Sequence, residues 1–155
     1  RLVMHVNVTA PFMMTQALLP LLEKSEDASV IFTSSSVGVQ GKAYWGAYSA
    51  SKFATEGLAQ VLAEETENTS KIRVNIINPG ATRTNMRAQA YPGEDPALNL
   101  APEDIMPAYQ YLLGPDSLGI TGQRFIAQEM PKPQKEEAKI TDEDSKVTDD
   151  KSKKS

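Results

Sequence analysis

"TSSSVGVQGKAYWGAYSASKF", Thr33 to Phe53, opens as a run of serines and closes as the first turns of a helix. The segment leading into it, "SVIFTSS" (Ser29 to Ser35), is short, β-branched and almost continuously apolar until it turns to serine. That is the pattern of a strand buried on both faces of a parallel sheet. From Ala47 the period changes, with Ala50, Phe53, Ala54, Gly57, Leu58, Val61 and Leu62 at helical spacing and Glu56, Gln60, Glu64 and Glu67 on other faces. The spacing predicts an amphipathic helix of about five turns.

The same alternation continues outward. "KIRVNIINPG" (Lys71 to Gly80) predicts a second strand, stopped by Pro79-Gly80. Ala81 to Leu100 reads as a long loop rich in Pro, Asn, Thr and Arg, and loops of that length in compact domains are usually functional. Ile105, Met106, Tyr109, Leu112 and Leu113 predict a helix over Glu103 to Gly114, ended by Gly114-Pro115, and "GQRFIAQ" (Gly122 to Gln128) predicts a third strand. Toward the amino terminus, Leu2 to Leu22 is apolar on nearly all sides, as expected of a helix buried between a sheet and another helix. Helix, strand, helix, strand, helix, strand implies an α/β fold with parallel strands and right-handed crossovers.

Composition narrows the function classes. The 155 residues suit one domain, and a net charge of −4 offers no basic field for a nucleic-acid backbone. With no cysteine and one histidine, neither a disulfide framework nor a zinc site is expected, so no metal is assigned. No uninterrupted apolar run reaches the roughly 18 residues of a membrane span, and no charged leader precedes a short apolar region. A cytoplasmic protein with no membrane partner is the expectation. Pro131 to Ser155 hold seven Lys and seven Asp or Glu, with Ile140 and Val147 the only sizeable apolar residues. Such a segment cannot bury enough surface to offset its ordering entropy. The expected organisation is a domain over residues 1–128 and a disordered charged tail over 129–155.

The helix that begins near Ala47 carries a candidate acid–base pair. Lys52 lies one turn beyond Tyr48, so the two side chains leave the same face. A tyrosine hydroxyl is a poor base at neutral pH, but an ammonium about 4 Å away, at an effective dielectric near 20, favours the phenolate by roughly 4 kcal/mol. Proton exchange with a substrate oxygen at neutral pH needs a shift of about that size. Ser35, at the carboxyl end of a buried strand, stands where ligands bind in open parallel sheets. Its hydroxyl can hydrogen-bond a substrate oxygen as charge develops there. By spacing alone the pair is equally an ordinary helix-surface contact.

The serine-ended strand, the twelve residues between Ser35 and Tyr48, the helix after Lys52 and the strand ending in Asn78-Pro79-Gly80 together resemble the short-chain dehydrogenases/reductases. The resemblance runs from about Leu2 to Gln128, through "VNVTAPF", "NPGATRT" and "ITGQ". It implies a Rossmann-type doubly wound parallel sheet and an NAD(P)-dependent oxidoreductase that interconverts a carbonyl and an alcohol. The implied catalytic residues are Asn7, Ser35, Tyr48 and Lys52. The implied cofactor contacts are Tyr48, Lys52, Pro79, Gly80, Thr82 and Thr84, with NAD or NADP as cofactor. Asn85 to Leu100 becomes a substrate-covering segment, and a homo-oligomer through helices 2–22 and 48–67 is implied.

Several residues keep a second reading. Thr82 and Thr84 can equally cap a loop-to-helix turn, Trp45 can line a pocket or anchor its loop, and His5 matches no role in the family. Pro11 lacks an N–H, and its ring clashes with the carbonyl four residues back, which is that of Asn7; the helix is expected to kink there and leave the carbonyl free. In the family that carbonyl supports a water-borne proton relay to the lysine.

The family's glycine-rich phosphate turn does not occur among the nine glycines. The expectation is therefore an amino-terminally truncated half-domain of about three strands with flanking helices. On that expectation the chain alone is inactive, and the alternative function is a fragment acting only as a dimerisation or interaction module.

Overall fold

The computed structural model describes residues 1–130; the expected charged tail lies outside the described residues from Pro131 onward. Three strands, β1 (Ala28–Thr33), β2 (Ile72–Asn78) and β3 (Arg124–Ile126), form one sheet in the order β1-β2-β3 with both pairings parallel. Ala28 pairs with Ile72 and Ile76 with Arg124. The predicted strands and their direction are therefore present, although β3 is only three residues long and runs into a turn of 3₁₀ helix.

Helices cover both faces of this sheet. The helix α1 (Leu2–Leu22) precedes β1, α2 (Gly46–Glu67) joins β1 to β2, and α3 (Asn85–Ala90) and α4 (Pro102–Leu113) lie between β2 and β3. All seven residues of β2 are buried, and their alternation divides the core. Ile72, Val74 and Ile76 pack with Ala59 and Ala63 of α2, whereas Ile77 packs with Ile105, Ala108 and Leu112 of α4. On the α4 side the guanidinium of Arg73, 4% exposed, ties Asp27, the Leu112 carbonyl and Ser117 together.

Two expectations about helix faces are corrected. The inward stripe of α2 is Ser51, Thr55, Ala59 and Ala63, at four-residue spacing, while Phe53 and Val61 of the predicted apolar face are exposed. Small side chains let the helix backbone approach the sheet closely, so the larger apolar residues are left outward. Likewise α1 is not a buried helix: none of its residues is buried, and Leu2, Val6, Phe12, Met13, Met14 and Leu21 are at least half exposed. Only Leu19 and Leu22 pack against the core, because three strands offer α1 little surface to cover.

One premise of the membrane reading is corrected, that no segment is long and apolar enough to span. By length and composition α1 could span a bilayer, with a mean hydropathy of 1.3. His5, Asn7, Thr9, Thr15 and Gln16 interrupt its apolar residues, so a search for consecutive apolar residues misses what the average registers. Asn7, though, is committed to α2 through side-chain and main-chain hydrogen bonds.

The segment expected to be a plain loop, Ala81 to Leu100, holds α3 and a 3₁₀ turn at Pro96–Leu98. Thr84 starts α3 as its N-cap, accepting a hydrogen bond from the Arg87 N–H at 3.2 Å. "NMRAQA" shows no apolar period, so the cap was its only signal in the sequence.

Candidate active site

The carboxyl end of β1 delivers the serines. Ser34 N–H continues the ladder to the Ile77 carbonyl at 2.7 Å, and Ser35, extended at φ −158°, is the N-cap of a 3₁₀ turn over Ser36–Gly38. That turn lies directly on α2: a Cβ on Gly38 would stand 2.6 Å from Ser34 Oγ and 3.1 Å from the Lys52 carbonyl oxygen. The Ser35 carbonyl accepts a hydrogen bond from Arg124 Nη2 at 3.2 Å, and Arg124 Nε donates at 3.0 Å to the buried carboxylate of Glu56. A residue of β3 and a residue of α2 thus hold the serine in place. A buried carboxylate persists only with such a partner.

Tyr48 and Lys52 both come from the first two turns of α2. Lys52 Nζ lies 5.7 Å from the centroid of the Tyr48 ring and donates to the Thr33 carbonyl, the last of β1, at 2.8 Å. Burial lowers the Lys52 pKa from the ordinary lysine value, and the Glu56 carboxylate opposes that shift. The predicted pairing on one helix face is therefore present, with the ammonium anchored between strand end and phenol ring.

Asn7 approaches the same turn of α2 from α1. Residues His5–Thr9 form a π-helical segment, with Pro11 just beyond it, so the proline's missing N–H is absorbed by widening the turn. Asn7 Nδ2 donates to Ser51 Oγ at 3.0 Å, and Ser51 Oγ donates to the Tyr48 carbonyl at 2.7 Å. The expectation of a free Asn7 carbonyl is corrected: Thr55 Oγ1 lies 3.0 Å from it and equally 3.0 Å from the Ser51 carbonyl. A carbonyl oxygen has two lone pairs, so the Thr55 hydroxyl alone does not fill it. His5 is exposed.

The loop after β2 forms the third side. Asn78 Oδ1 accepts the Gly80 N–H at 3.1 Å, and Gly80 has φ +74°, a left-handed conformation that suits glycine. Thr82 Oγ1 donates to the Gly80 carbonyl at 3.3 Å, and Gln128 Nε2 holds the Ala81 carbonyl at 2.8 Å. Both threonines therefore have structural partners, as the capping reading allowed.

A cavity of about 970 Å³ opens between these parts, lined by Ser35, Tyr48, Pro79, Gly80, Thr82 and Thr84 among others. Lys52 and Asn7 stand behind its wall and are not among the lining residues. Met86, Arg87, Ala90 and Tyr91 add a further wall, from within the segment expected to cover the substrate. Arg87 pairs with Glu94 through two hydrogen bonds of 2.6 and 2.5 Å, Asn99 Nδ2 adds a third to Glu94 at 2.7 Å, and the carboxyl pKa falls to about 2 chiefly through the Arg87 bonds. Trp45 both lines the cavity and holds its loop, touching Tyr48 edge-on at 5.6 Å and Tyr91 at 5.7 Å between ring centroids. Lys42 reaches across to Tyr91 Oη at 2.6 Å. These partners are 46 to 49 residues apart in the chain and share no motif, so nothing local could have joined them.

Comparison with known proteins gives this geometry a context. A family model described as short chain dehydrogenase matches residues 1–95. The chain is 62% identical over 131 residues to the uncharacterized oxidoreductase YciK of Escherichia coli (strain K12), covering 84% of this chain and 51% of that protein. It is 33% identical over 129 residues to 3alpha-hydroxysteroid dehydrogenase of Mediterraneibacter gnavus, covering 78% of this chain and 51% of that one. Among solved structures, a short chain dehydrogenase from Salmonella enterica serovar Typhi superposes with a TM-score of 0.78 at 62% identity, over 81% of this chain and 51% of that chain. A chain from Escherichia coli CFT073, solved in complex with NADPH, superposes with a TM-score of 0.77 at 62% identity, over 81% and 51% of the two chains. The chain spans about half the length of the curated relatives it matches.

Proposed function

This chain belongs to the short-chain dehydrogenase family, and from that premise we propose that the protein is a cytoplasmic NAD(P)-dependent oxidoreductase interconverting a carbonyl and an alcohol. The observation that carries the reading is the meeting of Ser35 and Tyr48 on one cavity at the carboxyl ends of β1 and β2, with Lys52 against the Tyr48 ring.

The residues present fit one end of the cofactor. Thr82 and Thr84 bring hydroxyls, and Pro79-Gly80 a tight backbone turn, to the cavity that Tyr48 lines. That donor set suits a carboxamide and ribose, and the expected contact of Lys52 with the ribose hydroxyls requires its Nζ to turn from the Thr33 carbonyl toward the cavity. The domain reading places the phosphate-binding turn outside residues 1–128, which form the carboxyl-terminal half of a short-chain dehydrogenase domain. When bound, the nicotinamide supplies or accepts the hydride.

The chain's own groups handle the proton. In the reducing direction the Tyr48 O–H bond breaks and its proton passes to the carbonyl oxygen, while the Ser35 hydroxyl donates a hydrogen bond to that oxygen and orients it. The Lys52 ammonium stabilises the phenolate left behind. Asn7 supports this arrangement twice, steadying the Tyr48 turn through Ser51 and presenting its carbonyl to a water relay. The test is incubation of a full-length version of the protein, with its phosphate-binding half, with a panel of ketones and aldehydes and a deuterium-labelled reduced nicotinamide cofactor. Deuterium on the product alcohol carbon is expected; its absence across the panel, with cofactor shown to bind, overturns the reading.

One observation favours a second reading, an interaction module. The outward residues Phe12, Met13 and Met14 of α1 and Phe53 and Val61 of α2 are exposed apolar side chains on the two helices from which a homo-oligomer was expected. Pairing of two copies would remove them from water. Sedimentation of the purified chain should show a dimer; a monomer throughout the micromolar range excludes this reading.

A further inference from the structure

The lining of the cavity includes a positive charge, set among aromatic rings, that makes no ion pair among the described residues. Lys42 Nζ lies 5.3 Å from the Trp45 ring centroid and 5.1 Å from that of Tyr91, and it donates one hydrogen bond, to Tyr91 Oη. The charged neighbours on the facing segment are Arg87, stacked 3.8 Å from the Tyr91 centroid, and Glu94, which Arg87 and Asn99 already engage. Among the described residues Lys42 makes no ion pair. An ammonium has three donors, so at least two point to no acceptor among these residues.

The surroundings specify what could complete it. Trp45, Tyr48 and Tyr91 give the cavity a run of ring faces and edges, and Met86 and Ala90 add apolar surface. Lys42 and Tyr48 both neighbour Trp45, and all three line the same cavity.

We infer that Lys42, with Trp45 and Tyr91, forms a subsite for a carboxylate, and that the substrate is a flat, largely apolar carbonyl compound carrying that negative charge. This rests on the oxidoreductase reading for the word substrate, but the subsite itself is a binding statement. The carboxylate lies against the ammonium and displaces water from it, the apolar body stacks on Trp45 and Tyr91, and the carbonyl reaches Tyr48 and Ser35. Lys42 is a specificity residue in this arrangement and takes no part in proton transfer.

The test uses the single tryptophan of the sequence, Trp45, as the reporter. The full chain is titrated without cofactor with 4-acetylbenzoate and with its neutral isostere 4-acetylbenzamide, following Trp45 fluorescence. A charge-assisted hydrogen bond implies that the acid binds roughly tenfold or more tightly than the amide. Lys42→Gln should abolish that preference without weakening the amide, and Lys42→Arg should keep it. Equal binding of the two probes, no saturable binding of the acid, or a preference that survives in Lys42→Gln overturns the inference. Because no hydride moves in this titration, its failure is separate from failure of the deuterium-transfer experiment.

Discussion

In a full-length version of the protein, Tyr48→Phe is expected to slow turnover about 10²- to 10⁴-fold relative to the parent, with KM little changed. The change removes one oxygen and keeps the ring, so the edge contact with Trp45 and the cation above the ring both remain. Lys52 does not depend on that oxygen for its position, since Thr33 holds Nζ from the end of β1. Loss of turnover in this variant therefore reports the missing proton and not a collapsed site. Steady-state kinetics on a carbonyl that the parent reduces decides the matter, with thermal unfolding alongside to show that the fold persists. Turnover within about threefold of the parent would remove Tyr48 from the chemistry and leave the Tyr48–Lys52 pair a structural contact.

The second large effect concerns stability. Arg73→Met should lower the unfolding free energy by about 3 kcal/mol, because breaking a buried ion pair strands its partner groups. Arg73 is 4% exposed and donates to Asp27 at 2.5 Å, to the Leu112 carbonyl at 3.1 Å and to the Ser117 carbonyl at 3.2 Å. It therefore joins the start of β1, the end of α4 and the turn that follows. Asp27 keeps a 38% exposed side chain and can recover water, which places the cost at the low end for such pairs. The Lys71–Glu26 pair, with side chains 66% and 88% exposed, is the internal control: Lys71→Met should leave the urea midpoint unchanged. If Arg73→Met were as silent as the control, the guanidinium would not be a fastener between the layers.

How much of this was legible beforehand varies with the range of the interaction. β2 was readable because a β-branched run ended by Pro79-Gly80 has few other interpretations. The Tyr48–Lys52 pairing followed from helical spacing, a rule that works over four residues. The inward face of α2 was misjudged because Ser51 and Thr55 are polar by type, and only the closeness of the sheet makes small size count for more than polarity. The clamp on Ser35 joins positions 89 residues apart and the Glu56–Arg124 pair positions 68 apart. The fold brings those together, and no local pattern announces it. Asn7 lies between these cases: Pro11 signalled a disturbed helix, but the acceptance of Thr55 by the freed carbonyl depended on how α1 crosses α2.

The π-helical segment at His5–Thr9 also bears on descent. A π turn is wider than an α turn by about one residue, which is what a helix shows when it has gained a residue while both its ends stayed pinned. Asn7 sits inside that widened turn, with its amide on Ser51 and its carbonyl on Thr55. Substitution could disturb either contact singly, whereas deleting one residue from the segment would rewind the helix and withdraw both together. Freedom here is therefore expected to be asymmetric: replacements around Asn7 alter one contact at a time, whereas a change of length between Asn7 and Pro11 shifts Asn7 relative to the rest of α1.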